Sequence, residues 1–147
     1  MNLSRKTRIY VLFSILWTAY ILANSLQPGP DSKSRSDGML AALLHLLSLD
    51  RYAESELLRA LIRKAAHFAE YAVLGTLLSG AFRQTLHRLR WPLLCGGAVA
   101  LCDETVQLFV PRRSGSPADV ALDAAAVACA VTAVWLLSRH HRRTKEQ

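Results

Sequence analysis

Little in this chain could staple it or hold a metal by a compact motif. Cysteine occurs three times, at Cys95, Cys102 and Cys129, each inside an apolar run. An odd number placed there argues against a disulfide framework. Cys95 and Cys102 share a helix face seven residues apart, but two thiols without nearby histidines make a poor metal site. Packing is the expected role of all three. No HExxH-type spacing occurs, and there is no internal repeat or low-complexity block. The net charge of +7 has no aromatic-and-basic surface motif beside it, so no nucleic-acid partner is expected. With 147 residues there is room for one domain.

What the chain does have is segregation. Hydrophobic residues make up 52% of it, yet its mean hydropathy is only +0.19. Charges crowd into the ends and connections and leave long apolar runs between them, the pattern of a membrane protein. Ile9 to Leu26 is eighteen residues without a charge, preceded by Arg5, Lys6 and Arg8. A run of that length can span a bilayer as a helix. Ala23-Asn24-Ser25 loosely fits a signal-peptide cleavage site, but the run exceeds the usual ~7–15-residue apolar region of such a leader. A retained helix is the favoured reading and a cleaved leader the alternative.

Four spans are expected, over about 9–26, 65–82, 92–110 and 118–138, in an all-α polytopic membrane bundle. Residues 27–37 have the Pro, Gly and Ser content of a loop. Met39 to Leu49 is apolar but too short to span, and reads as an interfacial or re-entrant helix. Tyr52 to Lys64 has amphipathic spacing. Trp91-Pro92 suits the interface and first turn of span three. Ser116-Pro117-Ala118-Asp119 resembles a helix start with an N-cap Ser and an acidic third position. The basic tail, 139–147, is expected in the cytoplasm.

Lys/Arg counts set the orientation. Residues 1–8 hold three, 83–91 hold three and 139–147 hold four; the long first connection holds six, diluted by five acids. The positive-inside rule then puts both termini in the cytoplasm. Residues 59–64 are also basic and lie beside a span, which narrows the margin.

Up-and-down threading brings ionisable groups from three helices to one depth. His67, Glu70 and Tyr71 lie in the first turns of span two, Asp103, Glu104 and Gln107 in the last turns of span three, and Asp119 and Asp123 in the first turns of span four. Ionisable residues at the bilayer centre cost about 2.5–3.5 kcal/mol each on insertion scales, and less near the interface. Position alone therefore proves no function, but convergence from three helices disfavours chance.

His67 and Glu70, at i and i+3, read either as a helix-end hydrogen-bond network or as an acid/base pair in which Glu70 orients the imidazole. Asp103 and Glu104 are adjacent and cannot face the same way; one is expected inward with Gln107, the other toward Arg112, Arg113, Arg63 or Lys64. Asp119 reads first as a cap, a role compatible with ligand binding. Asp123, one turn further in, has no such explanation and needs a cation between the two acids: an arginine, a metal or a substrate amine. The His, Glu and Asp side chains are chemically able to bind Zn²⁺ or Mg²⁺. Without a compact spacing to support that, neither a metal nor a cofactor is expected.

At these residues the chain resembles the VanZ-like family, named for a teicoplanin-resistance accessory protein. Three blocks carry the resemblance: NSLQPG (24–29), RKAAHFAEYAVLG (63–75) and DETVQLFVPRRSGSPADVALD (103–123). Two positions depart from the family pattern. Arg112 stands where a glycine is usual, which makes Arg113 the better match for the loop arginine. Ala124-Ala125-Ala126 replaces a glycine-rich run.

The resemblance implies a bacterial plasma-membrane protein, sometimes linked to reduced susceptibility to teicoplanin and related lipoglycopeptides, with no agreed biochemical activity. The leading expectation is an extracytoplasmic pocket for a lipid-linked cell-wall precursor, a lipid headgroup or a glycopeptide. In an enzymatic version His67, Glu70, Asp103 and Glu104 are the catalytic candidates, with Lys64, Tyr71, Gln107, Arg113, Asp119 and Asp123 around the substrate. In a binding version the same residues only recognise it. In a scaffold version they lock the helices together. Oligomeric state is left open.

Overall fold

The computed structural model describes residues 4–28 and 55–145, with isolated positions 38, 41, 42, 45 and 46 between them. The expected interfacial helix over 39–49 lies largely outside the described residues. Among those described, the protein is all-helical, with four helices: α1 Arg5–Ser25, α2 Glu56–Ala81, α3 Arg90–Gln107 and α4 Pro117–Lys145.

Local chemistry explains where they begin. Ser4 caps α1 by accepting from the Thr7 backbone N–H at 3.2 Å. Ser55 caps α2 through the Leu58 N–H at 3.3 Å, with Glu56 in the first turn complementing the helix dipole. Pro92 falls in the first turn of α3, where its missing N–H is not needed.

Two boundaries differ from the sequence expectation. The amphipathic stretch ending at Lys64 and the span beginning at Ala65 are one continuous helix of 26 residues. No backbone feature separates them; only polarity changes there. At the other end of the chain, α4 runs on to Lys145, so most of the basic tail is helix. Arg139 lies over the Trp135 ring, 4.7 Å from its centroid, which ties the start of that basic segment to the preceding turn.

The helices alternate in direction. At one end of the bundle Thr7 donates to Gln84 Oε1 at 3.0 Å and Arg83 donates to Ser4 Oγ at 3.0 Å; Phe82 stacks on Trp91 there. At the other end the C-terminus of α1 meets that of α3 through Ser25 and Asp103, and the N-terminal part of α2 meets that of α4 through Lys64 and Asp119.

Small residues let the helices approach. A Cβ on Gly75 of α2 would stand 2.9 Å from the Val127 carbonyl oxygen of α4, and one on Gly96 of α3 would stand 2.6 Å from Val127 Cγ1. Val127 is thus seated between two glycines. Ala100 and Ala126 are fully buried beside it, with Leu74, Leu78, Val131 and Ile21 completing the core.

The outside is apolar. Leu12, Phe13, Ile15 and Leu16 on α1, Leu93 and Leu94 on α3, and Leu136 and Leu137 on α4 are all exposed. Cys102 and Cys129 also face outward, correcting the expectation that they pack the core; only Cys95 is partly covered. Two helical segments, Arg5–Ser25 and Pro117–His141, are long and apolar enough to cross a membrane, yet only 17% and 22% of their most apolar stretches are buried. A core helix of a soluble protein would be mostly buried. Apolar helices whose faces are uncovered suggest a membrane protein. The other two helices are less apolar because α2 carries Lys64, His67 and Glu70, and α3 carries Arg90, Asp103 and Glu104.

Candidate functional site

Against that apolar exterior, one end of the bundle gathers buried polar side chains. Asp103, Glu104, Gln107 and Asp123 are all buried, the two aspartates completely, and Tyr71 is fully buried beside them. His67 and Glu70 are half-buried.

The adjacent acids Asp103 and Glu104 both point into protein, contrary to the expectation that only one would. Their side chains diverge by about 100° around the helix, and each meets a different wall. Asp103 receives the Ser25 hydroxyl of α1 through one oxygen and lies 3.5 Å from Gln107 Nε2 through the other. Glu104 accepts from Gln107 Nε2 at 3.3 Å and from the backbone N–H of Ser116 at 2.8 Å. Gln107 therefore bridges both carboxylates, one turn further along α3.

That Ser116 bond corrects the capping reading of Asp119. In a capping box the acidic third residue reaches back to the N-cap backbone N–H; here Glu104 of α3 already occupies that N–H. Asp119 turns instead to Lys64 on α2, at 3.2 Å, in a pair that is largely solvent-exposed. Such a pair contributes about 0–1 kcal/mol, so it marks the rim of the site more than it stabilises the fold. Arg113 leans the other way and donates to the Asn24 carbonyl oxygen at the end of α1, at 3.2 Å.

His67 and Glu70 sit one turn apart on α2, as their spacing requires. No hydrogen bond joins them, and His67 Nδ1 is buried without a hydrogen-bond partner among the described residues. The neighbours of His67 come from other helices: donor atoms of His67, Asp103 and Asp123 all lie within 4.8 Å of one another. Both carboxylate oxygens of Asp123 lack a hydrogen-bond partner, as does the Tyr71 hydroxyl. Sequence spacing gave no reason to expect a metal-capable group here, because its three members belong to three different helices.

Three contributors were not singled out from the sequence. Ser25 holds Asp103, the Ser116 N–H holds Glu104, and Trp17 donates its indole N–H to the Glu70 carbonyl at 2.9 Å. Ser25 did carry a signal, since it lies in the NSLQPG block at the end of an apolar run. A second feature lies at the opposite end of the bundle, a cleft of about 340 Å³ lined by Arg83, Arg88, Trp135 and neighbouring residues. None of the sequence-derived site residues lines it.

The buried group is drawn from three stretches of chain: the end of α1, the first half of α2, and the segment from Asp103 to Asp123. A family model described as VanZ/LLP1 matches residues 10–138, a range that contains all three. The chain belongs to the VanZ/LLP1 family. No curated protein and no solved structure matches it.

Membership in the VanZ/LLP1 family, with the two uncovered apolar helices, suggests a membrane protein linked to glycopeptide resistance. The loop between α3 and α4 also gives the departure at Arg112 a physical meaning. Arg112 has φ 59°, a left-handed conformation that glycine adopts without strain and other residues adopt at a cost. The loop keeps the backbone shape of a glycine even though an arginine occupies the position.

Proposed function

We propose that the chain is a single-domain, four-span protein of the bacterial plasma membrane. Both termini are cytoplasmic, and the polar end of the bundle is an extracytoplasmic site for a lipid-linked headgroup of the cell-wall precursor type. The observation that carries this reading is the burial of three carboxylates, Asp103, Glu104 and Asp123, with Gln107 at one end of a bundle whose exterior is apolar. Intramembrane ionisable groups are expensive and by default mark functional sites.

The four-span reading is supported by the alternating direction of the helices and by the ring of exposed apolar side chains. Retention of α1 is supported by its packing: Ile21 lies in the core, and Ser25 and Trp17 bond to α3 and α2. Removing α1 as a leader would strip Asp103 of a partner.

Lys64 and Arg113 stand at the rim, where cationic side chains suit a phosphate. The half-buried His67 lies beside the buried acids, and Glu70 lies one turn further along α2. In a catalytic form of the site they would exchange protons with the headgroup; in a binding form they would only hydrogen-bond it. Mass spectrometry of envelope lipids and wall precursors, from cells expressing wild type or Glu104→Gln at matched levels, tests this. The expected result is a species gained or lost only with wild type. Identical profiles at equal membrane abundance would sink the enzymatic form, and unchanged teicoplanin susceptibility as well would sink the site.

One observation favours the scaffold reading. Asp103 and Glu104 spend their hydrogen bonds on α1 and on the loop before α4, and so tie three parts of the chain together. Asp123 forms no such tie, so Asp123→Asn separates the readings: a scaffold tolerates it and a ligand site does not.

A further inference from the structure

We propose that His67, Asp103 and Asp123 bind one divalent transition-metal ion of the Zn²⁺ or Mn²⁺ class. This goes beyond the headgroup reading and is tested without it.

Geometry comes first. One donor atom from each residue lies within 4.8 Å of the other two. For any three points so spaced, some position lies within about 2.8 Å of all of them. Closing each distance by about 0.7 Å reaches the ~2.1 Å of a Zn²⁺ bond to nitrogen or carboxylate oxygen.

Unmet valence is the second, independent observation. Asp123 is 0% exposed, and neither of its oxygens has a hydrogen-bond partner among the described residues. A buried carboxylate in that condition costs several kcal/mol unless something positive faces it. His67 Nδ1 is buried and unpartnered as well. These two residues are members of the same three-residue group, so unmet hydrogen-bonding capacity is concentrated where the donor atoms converge.

The third member is already aimed. Asp103 is held by the Ser25 hydroxyl and by Gln107, the kind of outer hydrogen bonding that orients a ligating carboxylate and fixes which lone pairs remain. The local cations are turned elsewhere: Lys64 pairs with Asp119 at the exposed rim, and Arg113 reaches toward Asn24.

The donor set narrows the ion. Imidazole suits Zn²⁺ and its neighbours, and carboxylates suit Mg²⁺, Ca²⁺ and Mn²⁺. One nitrogen with two oxygens favours an ion that accepts both. Three protein ligands leave at least one coordination position for water or an anionic oxygen. His67, the least buried of the three, is the side from which such a ligand would arrive.

The test uses the full chain purified in detergent, stripped with chelator and reloaded with Zn²⁺ or Mn²⁺ alone. Elemental analysis should find about one ion per chain in wild type, and at least a tenfold weaker affinity in His67→Ala and in Asp123→Asn. Glu56→Gln, far along α2, should bind as wild type does. The melting temperature supplies a second readout. Without metal, Asp123→Asn should melt no lower than wild type, because the carboxyl it replaces has no hydrogen-bond partner among the described residues. With metal, wild type should rise and Asp123→Asn should not. Absence of bound metal in wild type, or equal binding in both variants, overturns the proposal.

Discussion

Glu104 on α3 accepts the backbone N–H of Ser116, twelve positions further along the chain, at 2.8 Å. The bond closes the loop between α3 and α4 onto the end of the helix that precedes it. It also satisfies an N–H at the start of α4 that the helix cannot satisfy itself. Glu104 is only 5% exposed, so little water is available to replace the carboxylate.

Glu104→Ala should therefore destabilise the protein by about 1.5–3 kcal/mol, the range for a hydrogen bond to a charged group. Glu104→Gln should cost less, because its amide oxygen can still accept. Denaturant titration of both variants in the same detergent measures the difference. Equal losses would mean that charge, and not the Ser116 contact, is what matters there.

Ser25→Ala should cost about 1–3 kcal/mol, because it takes the hydroxyl from a fully buried Asp103 oxygen. Adding Asp103→Asn to it should cost less than the two separate losses together, since the two residues share one contact. A double-mutant cycle on melting free energies checks this. Strict additivity would show that the pair does not interact.

The depth of the polar cluster was legible in the sequence, but its wiring was not. Alternating spans and a 1.5 Å rise per residue suffice to bring His67, Asp103 and Asp123 to the same end. Spacing along one helix then suggested Glu70 as the partner of His67 and the helix N-terminus as the partner of Asp119. Asp119 does stand in the first turn of α4, but in both cases further neighbours come from other helices: Asp103 and Asp123 for His67, Lys64 for Asp119. Periodicity reports which residues share a face and says nothing about what that face meets. The boundary drawn at Lys64 failed for a related reason. Polarity changes there, but a helix ends only where backbone hydrogen bonding ends.

Gly75→Ala should be poorly tolerated. The new Cβ would lie 2.9 Å from a backbone oxygen of Val127, and a carbonyl cannot swing aside as a side chain can. Overpacking of this kind costs about 1–3 kcal/mol. Gly97→Ala on α3, where a Cβ meets nothing within 4 Å, should be neutral or slightly stabilising through its higher helix propensity. Comparing their yields of folded protein and their melting temperatures tests whether close approach of α2 and α4 holds the bundle together.

Arg112→Gly should stabilise the loop by about 1 kcal/mol. A non-glycine residue at φ 59° carries a steric cost of about 1–2 kcal/mol, which glycine avoids, while glycine's greater freedom in the unfolded chain offsets part of the gain. Arg112 is exposed, so losing its side chain removes little packing. A lower melting temperature for Arg112→Gly would reveal a contact of the guanidinium that outweighs the backbone strain.

The loop at Ser114 decides the orientation. It is exposed and lies between the ends of α3 and α4, on the same side as the buried acids. Basic residues at 5–8, 83–90 and 139–145 are concentrated at the opposite end, which the positive-inside rule assigns to the cytoplasm. A cysteine placed at Ser114, with Cys95, Cys102 and Cys129 replaced by alanine, should react in intact cells with a membrane-impermeant maleimide. One placed at Gln84 should react only after the cells are opened. The reverse pattern would put the acids on the cytoplasmic side. The site would then meet precursors while they are being assembled on the inner leaflet, before they cross.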